Sequence, residues 1–310
     1  MQLPLKSRVA ANPSAPVDIL KVFATSEDNV VRMCVAGNPS TPVDLLRILA
    51  EDKETRRGVA VNPSAPIDLL EEFAKDKEMR MSLPLNKSTP AKILSIMAKD
   101  DDALIRYYVA LNPSTPVETL KVLVKDTGKD ITAGVAGNPS TPTDLLKVLA
   151  SDSDYNVRWG VAKNPSTPVD LLEILASDEQ NLVRGGVAYN PSAPVDLIAV
   201  LVKDKSSFVR QGIAENPSSP PKVLKVLTKQ KKMRDRVANN PSCPVDLLKE
   251  LAEDVNRDVR YRVAGNPSTP VELLKVFSLD TSESGSLPYS VAANPSAPEE
   301  ILRYLASADR

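Results

Sequence analysis

The sequence predicts an all-α protein, a solenoid of twelve stacked helical repeats with no sheet. Three observations predict it. The decapeptide GNPSTPVDLL at Gly37 returns almost unchanged at Gly137 (GNPSTPTDLL) and Gly265 (GNPSTPVELL). Its asparagine recurs at Asn12, Asn38, Asn62, Asn86, Asn112, Asn138, Asn164, Asn190, Asn216, Asn240, Asn266 and Asn294, at spacings of 24, 26 or 28 residues. These copies, numbered here as repeats 1 to 12, fill the chain without a linker, so residues 1–310 read as a single domain. Apolar residues follow helical spacing, and no stretch alternates with period two or carries hairpin chemistry. A unit of this length cannot bury its own apolar face, whereas stacked units bury one another's.

The first half of each repeat, as in VRWGVAKN, predicts a short helix with Val157, Val161 and Ala162 on one face. Glycine at Gly58, Gly134, Gly160, Gly186 and Gly212 implies close backbone packing, or a turn that is not a regular α-helix. The asparagine is expected to end this helix in the left-handed conformation, with the following proline preventing its continuation. In the second half, Thr41 is the expected N-cap, Pro42 the first helical residue and Asp44 the capping-box acid. Val43, Leu45, Leu46, Ile48 and Leu49 are too dense for one stripe, so this helix is expected to be mostly buried.

Two repeats depart from the pattern. Pro84 in repeat 4 is expected to break the first helix, and repeat 12 follows the longest connection and carries Pro288. Glu299, Arg303 and Tyr304 give the last helix the polar outer face of a cap. The N-terminal face, with Leu3 and Leu5, looks less protected, so any self-association is expected to run through the first repeat.

The joint spacing in VRxxVAxNPxTPxxLLxxLAxD resembles the leucine-rich repeat variant, a bacterial repeat family, across all twelve copies. The resemblance implies a right-handed superhelix in which α-helices alternate with short α or 3₁₀ helices. The founding member holds an iron–sulfur cluster on cysteines ahead of its repeats. No such segment is found in these 310 residues, so no cofactor is carried over. The DxxxxxVRxxVA half more weakly resembles HEAT repeats, whose Asp and Arg form ladders between neighbours.

Composition narrows the function. Net charge is −1, which provides no long-range field to gather nucleic acid or an anionic membrane. Histidine is absent, and Cys34 and Cys243 are isolated, so a metal site is not expected and the commonest general base is missing. No Ser-His or Cys-His pair and no phosphate loop occurs, so no catalytic residue is assigned and the chain reads as a non-enzyme. No apolar run suits a signal peptide or a bilayer span, and a cytoplasmic location is expected. The expected function is a non-catalytic scaffold for a protein or peptide partner. The alternative is a nucleic-acid-binding solenoid using its Lys/Arg rows.

Arginine stands six residues before the asparagine in nine repeats, and several of these have an Asp six residues earlier, such as Asp152 before Arg158. An Arg–carboxylate ladder between repeats explains them better than a row of phosphate sites. Lys or Arg also stands nine residues after the asparagine, as in Arg47, Lys121 and Arg303, where a same-helix acid such as Asp44 would pair with it. The recurrent Asn and Ser read as corner chemistry rather than ligand-binding groups.

The positions five and one before the asparagine vary most. They hold the only Trp and four of the seven Tyr. Either these are scattered surface aromatics, or stacking gathers them into a partner face. The residues assigned to that face are Tyr107, Tyr108, Leu111, Trp159, Lys163, Tyr189, Tyr261 and Tyr289, with a dip at Ala133, Gly134 and Gly137.

Overall fold

The computed structural model describes residues 5–280 and 286–308; Leu3 lies outside them. Among the described residues the protein is an all-α helical-repeat solenoid with no strand. The helices form two compact units, Thr89–Ser242 and Met1–Ser88 with Cys243–Arg310.

In Thr89–Ser242 most repeats pair a nine-residue first helix, such as Tyr155–Lys163, with a seven-residue second helix, such as Val169–Leu175. First helices pack directly on first helices, whereas successive second helices stand apart, so the first-helix side is the concave side of this unit. Glycine sets that close approach. A Cβ at Gly160 would stand 2.6 Å from the Ala133 carbonyl oxygen and 2.9 Å from the Ala136 Cβ. The close-packing expectation holds, and the helix around Gly160 is a regular α-helix. Gly160→Ala is therefore expected to destabilise by about 1–3 kcal/mol despite its better helix propensity. Gly137→Ala, whose Cβ would find its nearest neighbour at 3.8 Å, is expected to stabilise by up to about 1 kcal/mol. Urea midpoints of the two variants should move in opposite directions.

The core is one aliphatic layer between the two helix rows: Val157, Val161 and Ala162 from the first helix, Leu172 and Leu175 from the second. The second helix is less buried than its composition predicts. In Val43–Glu51, Leu46 and Leu49 are buried, but Val43 is 48% and Ile48 64% exposed. The helices stand apart on this outer side, so nothing covers the outward β-branched residues.

The corner between the helices also differs from expectation. Thr41 does not cap the second helix; Pro42 occupies the cap position without a side-chain bond. The Thr41 hydroxyl instead donates back to the Val35 carbonyl at 2.6 Å, and Thr115, Thr141, Thr167 and Thr269 repeat this bond. Asn38 is extended (φ −74°, ψ 124°) rather than left-handed. Its buried amide nitrogen donates to the Ala10 and Asn12 carbonyls of the preceding repeat, both at 2.7 Å, and its oxygen accepts from the Ser40 N–H. The Ser40 hydroxyl donates to the Pro13 carbonyl. The last carbonyls of a helix have no partner within it; here the repeat's own threonine and the next repeat's asparagine provide them. Only asparagine offers two donors and an acceptor at this reach.

The irregular repeats keep this bonding. In repeat 4 the first helix is reduced to a 3₁₀ turn, Leu83–Leu85, as Pro84 predicts. Asn86 still donates to the Ala60 and Asn62 carbonyls. Pro288 lies in the first turn of Ser286–Ala293, where a missing N–H is tolerated.

In the unit that holds both termini, the expected open first repeat is not found. Repeat 1 stacks on repeat 12. Asn12 donates to the Ala292 and Asn294 carbonyls at 2.8 and 2.9 Å, and Ser14 to the Pro295 carbonyl, just as sequence neighbours bond. Arg303 reaches Asp18 at 2.7 Å, matching Arg47 with Asp68. Leu5 is 1% exposed, so it offers no surface for self-association. The sequence reading missed this because identical repeats carry no sign of which faces are left over.

Candidate partner-binding cleft

Most of the repeated polar residues are engaged in building the stack. Arg158 Nε meets the Asp178 carboxylate of the next repeat at 2.8 Å while Nη1 donates to the Asp152 carbonyl. Arg106–Asp126 and Arg184–Asp204 repeat the geometry at 2.7 and 2.8 Å. The Arg106 guanidinium, helped by the Gly128 N–H, holds the Asp126 carboxyl below its ordinary range, and Arg184 does the same for Asp204. The outer basic row pairs both across repeats and within a helix, and Arg303 does both, with Asp18 and Glu299. Arg47 bonds Asp68 of the next repeat rather than Asp44, whereas Lys121 bonds Glu118 on its own helix.

The variable positions on the concave side of Thr89–Ser242 enclose a cleft of ≈ 480 Å³. Tyr107 and Leu111 of repeat 5 form one wall, and Trp159 and Lys163 of repeat 7 the other. Ala133, Gly134, Gly137 and Gly160 make a floor almost without side chains, and Asp130, Asn156 and Pro165 lie at the rim. The floor is low because repeat 6 has its smallest residues where its neighbours have large ones. The Lys163 ammonium stands 5.1 Å from the Trp159 ring centroid, a cation–π distance.

Trp159 has a second role. Its indole Cδ1 lies where a Gly186 Cβ would meet it at 3.0 Å, and its buried Nε1 has no hydrogen-bond partner. The ring is wedged between repeats 7 and 8 as well as walling the cleft, so truncating it would disturb packing and binding together.

The other assigned residues lie elsewhere. Tyr108 sits beside Tyr107, with ring centroids 5.6 Å apart, but does not line the cleft. Tyr189 packs on Phe208 of the next repeat at 5.8 Å; burial, then Glu215, pushes its phenol pKa up. Tyr261 of repeat 11 and Tyr289 of repeat 12 belong to the other unit, where Arg8 of repeat 1 meets both. There Arg8 donates to the Tyr261 hydroxyl at 3.1 Å and stands over the Tyr289 ring. Sequence reasoning missed Asp130, Asn156 and Phe208. All three stand eight residues before the asparagine, one turn ahead of the aromatic position and on the same helix face.

A second depression of ≈ 460 Å³, on the second-helix side of the unit with the termini, is lined by Arg47, Arg56, Glu72 and Phe73. Its arginines are committed, Arg47 to Asp68, and Arg56 to Asp76 and the Phe73 ring. Among the described residues no cluster of His, Cys, Asp or Glu could hold a metal ion, and no helix is long and apolar enough to cross a membrane. Burial raises the Cys34 thiol and pushes Cys243 up to about 12, so neither is a ready thiolate near neutral pH.

No family model and no curated protein matches the chain. Several solved structures are similar to it, two of which are described by name. One is described as a leucine-rich repeat variant with a novel repetitive protein structural motif; it is 23% identical with a TM-score of 0.35, covering 70% of this chain and 85% of its own. The other is an engineered protein, 16% identical with a TM-score of 0.23, covering 96% of this chain and 94% of its own. At these TM-scores neither bears on what the protein binds.

Proposed function

We propose that the protein is a non-catalytic binding scaffold that receives a protein or peptide partner in the Tyr107–Trp159 cleft. One observation carries the reading. The repeated polar residues build the stack, while residues that vary between repeats converge around the recess. Aromatic walls over a small-residue floor are the usual make-up of a binding hot spot. The nucleic-acid alternative needs cations left free for phosphate, but Arg106, Arg158 and Arg184 each hold a carboxylate. A cytoplasmic location goes with this reading, on the sequence's two isolated cysteines.

Gly137 provides the test, because it lines the cleft and a Cβ there meets the Gly160 backbone of the next repeat only at 3.8 Å, an ordinary contact. Gly137→Trp is expected to abolish capture of cleft-binding peptides with no loss of thermal stability, and Gly137→Ala to leave capture within about threefold. Equal capture by the Trp variant and the parent would refute the reading.

A further inference from the structure

The distribution of charge in the cleft narrows the ligand. Asn156 stands in the first turn of the first helix of repeat 7 and Lys163 closes it. Seven residues at 1.5 Å each separate them by roughly 10 Å along the helix axis. Asp130 occupies on repeat 6 the place that Asn156 holds on repeat 7. One end of the cleft therefore carries a carboxylate and an amide, and the other an ammonium. Asp130 and Lys163 are exposed, and neither is engaged in an ion pair with another side chain. Between them lies the glycine floor, walled by Tyr107 and Trp159.

Resting on the proposed function, we infer that the cleft takes an extended peptide segment laid along the helix axes. A basic residue faces Asp130, an acidic residue about three positions away faces Lys163, and an apolar side chain between them enters the floor. An extended chain advances about 3.3 Å per residue, so three residues cover the roughly 10 Å of helix axis between the two ends of the cleft, with Asp130 on the helix beside that of Lys163. A free amino acid is too short to reach both ends. A nucleic-acid backbone brings charge of one sign, which Asp130 repels. The cleft of ≈ 480 Å³ is within the usual range of ligand pockets, room for a short peptide segment rather than one side chain.

The probe is a displayed library of random dodecapeptides selected on the full chain. Selected sequences should be enriched in a basic–acidic pair about three residues apart, with an aromatic or aliphatic residue between. Lys163→Gln and Asp130→Asn, both at exposed positions, should each weaken these peptides about threefold to fivefold, the range of partly exposed ion pairs. The double reversal Asp130→Lys with Lys163→Glu should prefer peptides of reversed charge order. Binders that Gly137→Trp abolishes, but that show no charge pair and are indifferent to both neutralisations, would overturn this inference and leave the scaffold reading standing. A library that yields no binder, or only binders indifferent to Gly137→Trp, would overturn both.

Discussion

Deleting residues 1–24 is expected to unfold the unit that holds the termini, although they form only the first of twelve similar repeats. In a stack with free ends, removing a terminal repeat forfeits one interface and the rest stays folded. Here repeat 1 lies between repeats 12 and 2. Asn12 bonds the Ala292 and Asn294 carbonyls, and Asn38 bonds those of Ala10 and Asn12. Deletion bares two faces and removes Leu5, Val9, Leu20 and Phe23 from the core. At about 1.5–3 kcal/mol for each large apolar side chain, the loss is roughly 6–12 kcal/mol. That is comparable with the whole stability of an ordinary domain. A circular permutant that carries residues 1–24 after Arg310, through a short Gly-Ser linker, should recover nearly all of it. Hydrogen exchange over 29–51 and 286–308 reads the outcome directly. Native-like protection in the deletion variant would show that the terminal interface contributes nothing.

Replacing Asn164 is expected to have the next largest effect. Its amide donates to the Ala136 and Asn138 carbonyls at 2.8 and 2.6 Å and accepts from the Ser166 N–H at 2.9 Å, with the residue 1% exposed. Asn164→Ala leaves these backbone groups without a partner, each at about 1–3 kcal/mol, for a total of roughly 3–5 kcal/mol after local relaxation. Asn164→Asp should be worse at neutral pH, because its carboxylate faces two carbonyl oxygens and has no proton to donate. Those carbonyls also raise its pKa above the unfolded value. The Asp variant should therefore recover part of its stability as pH falls and the neutral acid donates one bond. Urea unfolding of the two variants at pH 7 and pH 5 checks both signs.

Much of this architecture is legible in the sequence because the repeat states it twelve times. The corner role of the asparagine, though not its extended conformation or its bonds to the preceding repeat, the arginine–aspartate pairing and the close approach at glycine each follow from residue chemistry at a fixed spacing. What the sequence hides is which neighbour a side chain reaches. Thr41 has the look of an N-cap but bonds backward, to the Val35 carbonyl. Arg47 bonds across the repeat boundary, although Asp44 stands on its own helix. The exposure of Ile48 follows from the spacing of the second helices, which no single repeat encodes. The cleft is legible in part. Ala133, Gly134 and Gly137 announce a dip between large residues, but Tyr189, Tyr261 and Tyr289 share the same repeat positions and lie elsewhere.

The account divides the chain into residues that build the stack and residues that line the cleft. A substitution scan that reads folding and peptide capture separately tests that division most directly. Changes at Asn138, Asn164 and Arg158 should lower stability, and capture should fall only in proportion to the folded fraction. Changes at Tyr107, Leu111, Gly137 and Lys163 should alter capture in fully folded protein. Capture that follows stability alone at every position would contradict the account.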